Sequence, residues 1–123
     1  MQRPEVFPTR ESQEYYSEEG CHILEILNDD SSPHISLARA RVEKGKQTRL
    51  HALTDTVEIY YVTRGQGRVT IGAQTADIGI GDCVKIERGV DQNIVNTGSE
   101  DLVFLCICHP RFQEENYRNT DQA

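Results

Sequence analysis

No apolar stretch of this chain approaches the roughly 18 residues that a membrane-spanning helix requires, and the opening segment, Met1 to Ser17, is polar rather than patterned as a signal peptide. These absences lead to the expectation of a soluble cytoplasmic protein with no membrane partner. Positive charge is scarce too: Lys and Arg number 13 against 20 Asp and Glu, a formal net charge of −7. That balance argues against a sequence-blind grip on nucleic acid phosphates, so no nucleic acid partner is expected and a small-molecule substrate or ligand is favoured. Internal repeats and low-complexity tracts are missing, which excludes a solenoid or two barrels in one chain. At 123 residues the chain is the size of one domain.

The four cysteines do not add up to a zinc knuckle, because no second Cys/His pair joins Cys106, Cys108 and His109 at a zinc spacing. A Cys-x-Cys pair cannot bridge within one extended strand without distortion. Cys83, Cys106 and Cys108 sit in apolar runs, so reduced, buried thiols are expected.

What the chain does have, from Cys21 to Cys108, is a succession of short β-branched or alternating runs separated by Gly, Asn, Asp and Ser. The runs His22–Leu27, 35–42, 48–53, Val57–Arg64, 67–71, 74–78, Cys83–Ile86, Gln92–Asn96 and 102–108 read as strands, at the spacing of an all-β sandwich or barrel. Residues 1–20 and 113–123 lack both period and apolar mass and read as arms, ordered only if docked. The barrel domain is therefore placed at 21–112.

Two constellations carry chemistry. In the first, Gly45, five residues, His51, Ala52, Leu53, four residues, Glu58, six residues and Gly65 follow one another. In the second, Gly81, five residues, Glu87, Arg88, Gly89, two residues, Gln92, three residues and Asn96 do so. These resemble the first and second motifs of the cupin superfamily, with Leu53 where the family has a second His, and with Glu87 and Gln92 in place of Pro and His. The resemblance implies a single-domain double-stranded β-helix, a jelly-roll barrel, and a metal site of which His51 and Glu58 are retained and Gln92 is a substitute ligand. It also implies a homodimer in which the N-terminal arm or the strand His22–Leu27 covers a neighbouring sheet edge.

The residue pattern agrees with that implication. Side chains alternate along a strand, so His51 and Leu53 share one face, and Glu58, Tyr60 and Val62 share another. An imidazole, a carboxylate and an amide oxygen form a mixed set suited to a divalent first-row ion such as Fe, Mn, Zn or Ni, with positions left for water or substrate. The plainer alternative is a metal-free pocket in which His51 hydrogen-bonds Glu58. Tyr60 would present a phenol as donor or, with its pKa lowered, as base; otherwise it fills the core. Arg39 and Arg41 share a side with Ile35 and Leu37, opposite Ser36, Ala38 and Ala40. Inward, they would hold a carboxylate or phosphate of the substrate; outward, they salt-bridge a solvated face. Arg49, on the His51 side, carries the same alternative.

The expected function is a metal-dependent enzyme acting on a small polar, carboxylate-bearing metabolite by lyase, isomerase or oxygenase chemistry, with Glu58 and Tyr60 as catalytic candidates. The loss of an imidazole at Leu53 favours lyase or isomerase over oxygenase. The other class is a non-catalytic module that holds a small ligand.

Overall fold

A computed structural model describes residues 3–121 of the chain. Among the described residues eleven strands form: β1 Tyr15–Tyr16, β2 His22–Leu27, β3 Ser36–Val42, β4 His51–Leu53, β5 Val57–Arg64, β6 Gln66–Ile71, β7 Gln74–Gly79, β8 Cys83–Ile86, β9 Gln92–Asn96, β10 Leu102–His109 and β11 Tyr117–Asn119. They make two antiparallel sheets, one in the order β1-β2-β3-β10-β5-β8 and one in the order β11-β4-β9-β6-β7. This is the all-β architecture of a double-stranded β-helix. Among the described residues no helix is long and apolar enough to cross a membrane.

Alternation decides which residues enter the space between the sheets. On β5, Glu58, Tyr60 and Val62 are buried while Tyr61 is exposed, and on β9 Gln92, Ile94 and Asn96 are buried. Cross-strand register lines these up into rows: Ser36, Cys108, Glu58 and Ile86 in one, Ala38, Cys106, Tyr60 and Val84 in the next. At the closed end the core is apolar, with Val42, Val62, Val69, Ile94, Leu102 and Phe104 each at most 2% exposed. Truncating a side chain such as Phe104 to alanine there costs about 3–5 kcal/mol.

Two of the motif residues, Gly65 and Asn96, are structural. Gly65 turns β5 into β6 at φ 80°, and a Cβ there would stand 2.6 Å from the Asp101 carbonyl oxygen, so both backbone twist and space demand glycine. Asn96 donates to the carbonyls of Val42 at 2.9 Å and Glu100 at 2.8 Å and accepts from the Gly98 N–H at 2.9 Å, stapling a loop to the barrel. Strand β4 begins at His51 rather than at residue 48, because the Thr48 hydroxyl replaces a ladder bond by accepting from Ile94 N–H at 3.0 Å.

Both arms dock. Residues 15 and 16 form β1 on the edge of β2 in the same chain, so this arm covers its own sheet, and β11 pairs with β4. The N-terminal arm is held by arginines: Arg39 donates to Glu11 at 2.8 and 2.6 Å, and Arg41 donates to Glu14 at 3.2 and 2.6 Å and to Asp101 at 3.1 Å. Expectation and structure part at Cys83, which is exposed; the other three cysteines are free thiols that are buried or partly buried.

Candidate functional site

Small side chains on β3 leave room at the open end of the barrel. Ser36, Ala38 and Ala40 face inward there, and a cavity of about 300 Å³ opens above them, closed over by residues 15–19 of the N-terminal arm and by Phe112, Glu114 and Tyr117 of the C-terminal one. Its volume is at the lower end of the range for small-molecule sites. His51 enters from one sheet, and Glu58 and Tyr60 from the other.

His51 is fixed on all sides. Its Nδ1–H donates to the Arg49 carbonyl at 2.6 Å, Tyr117 stacks on its ring at 5.4 Å between centroids, and its Nε2 lies 3.1 Å from Glu19 Oε2. Burial pushes the Glu19 carboxyl above its ordinary value, against the opposing pull of His51. Across the cavity, burial first and the charge of Glu19 second push Glu58 up to about 8. Glu58 Oε2 accepts from the Cys108 thiol at 3.8 Å, and the Cys106 thiol and the Gln92 amide also face the carboxyl and favour its ionised form against the burial. Tyr60 donates its phenol proton to Gln92 Oε1, and the Gln92 amide faces Glu58. Burial raises the Tyr60 pKa well above the ordinary value, which makes this phenol a held donor and not a base. Burial likewise raises the thiols of Cys21, Cys106 and Cys108, all of which line the cavity.

The three arginines for which an inward and an outward reading were open do not line this cavity. Arg39 and Arg41 lie on the outer side of β3, because the inner side is taken by Ser36, Ala38 and Ala40, and they serve to clasp the arm. Arg49 is exposed; its carbonyl orients His51, and the residue lines a second, more open pocket with Gln47, Thr48 and Asn93 rather than this one. A residue that sequence reasoning missed, Glu19, is the direct partner of His51. Its only sequence signal was its place before Gly20, whose φ of 93° turns the chain into β2.

The sequence model of the Cupin domain family matches residues 38–108, more than half of the chain. The chain belongs to the cupin family. An uncharacterized protein of Methanocaldococcus jannaschii is 31% identical to this cupin over 104 residues, 83% of each chain. An oxalate-binding protein of Thermotoga maritima is 33% identical over 70 residues, 57% of this chain and 58% of its own. Among solved structures, the Streptomyces nucleoside dehydratase Pac13 superposes with a TM-score of 0.78 at 16% identity, over 95% of this cupin and 92% of that chain. Oxalate decarboxylase of Bacillus subtilis superposes with a TM-score of 0.76 at 26% identity, over 89% of this cupin but 30% of that chain.

The residues of this cupin do not fit a divalent ion held at the family's four ligand positions. Leu53 offers no donor atom. Gln92 has committed its oxygen to Tyr60, and its remaining polar atom is an N–H donor that faces Glu58 and offers a cation no lone pair. His51 carries the correct tautomer for a ligand, but its Nε2 is occupied by Glu19. Among the described residues no group of three or more His, Cys, Asp or Glu side chains is arranged to hold a metal ion.

Proposed function

We propose that this cupin binds a small polar metabolite between its sheets and performs proton-transfer chemistry on it, a lyase or isomerase step, without a bound metal taking part. The observation that carries the reading is the pairing of two proton-exchanging groups across one cavity, the Glu19–His51 couple on one side and Glu58 on the other. With its pKa pushed up to about 8, Glu58 holds a proton at neutral pH and can give it to a departing hydroxyl, which leaves as water. The couple takes the proton that the substrate loses from carbon, and Tyr60 stays protonated, bracing Gln92 behind the site. Support for the lyase form comes from Pac13, a β-barrel nucleoside dehydratase.

The test is exchange in D2O with a panel of β-hydroxy carbonyl compounds and nucleosides, followed by NMR. Loss of water or deuterium uptake is expected, abolished in Glu58→Gln and in His51→Gln when circular dichroism shows both still folded. Metal analysis of protein purified without chelator is expected to find no stoichiometric iron, manganese, zinc or nickel; a full equivalent of any of them would overturn the metal-free reading. The second reading, a ligand-holding module without turnover, draws on the Thermotoga relative's name as an oxalate-binding protein; stoichiometric capture without exchange would establish it. The homodimer and the cytoplasmic location remain part of the proposal. Leu105 and Ile107 of β10 are only partly buried beside the exposed Tyr61, which gives the outer face of the larger sheet an apolar strip for a second copy, and light scattering is the check.

A further inference from the structure

The N-terminal arm that covers the cavity is also the wall between it and a pocket open to solvent. Tyr16, Ser17, Glu18 and Thr48 line both the cavity and the second, more open pocket beside Arg49, so the turn that carries residues 16–18 parts the two spaces. Behind that turn the cavity is closed off: His51, Cys21, Tyr60 and Cys108 are each at most 3% exposed. A ligand that reaches His51 from outside has to pass a ceiling made of the two terminal segments.

Those segments are held by different forces. The C-terminal one is anchored through its backbone, by a three-residue ladder to β4 and by bonds from Thr54 N–H to the Asn116 carbonyl and from Thr120 N–H to the Leu50 carbonyl. The N-terminal one has little of this kind. Every residue from 3 to 13 is exposed, the helical turn Glu11–Gln13 buries nothing, and the ladder to β2 is two residues long. Charge fastens it instead: Glu11 meets Arg39 and Glu14 meets Arg41 at 2.6 Å, with a further contact from Arg39 to Glu14 at 3.3 Å. None of these four side chains lines the cavity. Ion pairs that water reaches are screened by salt, and the Glu11 side chain is 70% exposed. Glu19, by contrast, is tied down separately, by Arg49 N–H to its carbonyl at 2.7 Å and by His51 at its carboxyl.

We propose that residues 3–18 are a charge-latched gate. Glu11 and Glu14 on Arg39 and Arg41 hold it shut, and its release lifts Tyr15 to Glu18 and joins the cavity to the open pocket, which is the path of the ligand. Opening gives up the β1–β2 ladder and the bond from Ser17 N–H to the Cys21 carbonyl at 2.8 Å, a local event far smaller than unfolding of the barrel. Glu19 stays on His51 while the gate moves. The inference rests on this cavity being the ligand site of the proposed function, but not on the chemistry performed there. It makes entry faster as ionic strength rises, the opposite of a site that steers its ligand by charge, where salt slows entry.

The protein carries its own reporters. Cys21, Cys106 and Cys108 line the cavity, and Cys83 is exposed on β8. Iodoacetamide, small and uncharged, is applied to the full chain, and alkylation of each cysteine is read by peptide mass spectrometry with Cys83 as the reference. In the parent the cavity thiols are expected to react far more slowly than Cys83. They should gain about tenfold on it between about 0.05 M and about 1 M NaCl, where the screening length has fallen to about 3 Å. Glu14→Gln lies outside the cavity lining and removes charged hydrogen bonds, so it is expected to show a gain of about tenfold already at low salt and little further response to salt. Glu11→Gln, a second variant, is expected to move the rates in the same direction. Cavity thiols as fast as Cys83 in the parent, rates indifferent to both salt and Glu14→Gln, or labelling no faster than global unfolding followed by circular dichroism would each overturn the gate. No substrate enters this test: failure of the gate leaves the proton-exchange assay to judge the reaction, and a protein that exchanges no proton can still show a latched arm.

Discussion

Glu58 holds a carboxyl where water barely reaches, and its protonation ties the site to the stability of the fold. In the unfolded chain this group titrates near its ordinary 4.5, whereas in the barrel burial pushes it up to about 8. Below the lower value both states carry the proton and the group is neutral to stability. As pH rises through the window between the two values, the unfolded chain gains the ionised form that the folded one refuses, and stability is lost until the folded group also ionises. The full loss is on the order of 5 kcal/mol. The melting temperature is therefore expected to fall between pH 5 and pH 8, and Glu58→Gln, which keeps the shape without the titration, is expected to flatten that slope and to melt higher than the parent at pH 8. Parallel slopes for the two proteins would show that the carboxyl is not the group responsible.

At the level of elements, the barrel strands were legible because a two-residue period needs only local information, and every strand expected between residues 22 and 108 forms within a few residues of its expected ends. Strands β1 and β11 were not legible, since Tyr15, Tyr16 and Tyr117–Asn119 show no period of their own and are strands only through the partners they find. The inward face of β3 was also undecided in the sequence: alternation fixes that Ala38 and Arg39 point apart, but only the arm's Glu11 and Glu14 decide that the arginines go out. This assigns Arg41 a mechanical task, holding the arm whose far end carries Glu19 to His51. Arg41→Met removes charged hydrogen bonds worth about 1–3 kcal/mol and is expected to speed hydrogen exchange at Tyr15 and Tyr16 about tenfold while the β5 amides stay protected. An arm that exchanges no faster would mean that β1 pairing alone secures it.

For the whole molecule, the motif positions read from sequence fix the barrel and two of the titratable side chains that line its cavity, His51 and Glu58, while a third, Glu19, and the ceiling of the cavity come from segments outside both motifs. Contacts between residues far apart in sequence, such as Glu19 with His51 or Tyr117 with His51, leave no periodic trace and could be found only in three dimensions. The C-terminal segment is held by backbone bonds from Thr54 N–H to the Asn116 carbonyl at 2.8 Å and from Thr120 N–H to the Leu50 carbonyl at 3.0 Å, besides its ladder with β4. Removing residues 113–123 takes away that ladder and the ring stacked on His51, and leaves β4 as an open edge. The shortened chain is expected to keep the inner core, because Phe104, Leu102 and Ile94 do not depend on the tail, and to melt several degrees lower. Its His51 should be carbethoxylated much faster by diethyl pyrocarbonate, read at the peptide level so that exposed His34 and His109 serve as internal references. If His51 reacts at the same rate with and without the tail, the ceiling over the cavity is set by the N-terminal arm alone.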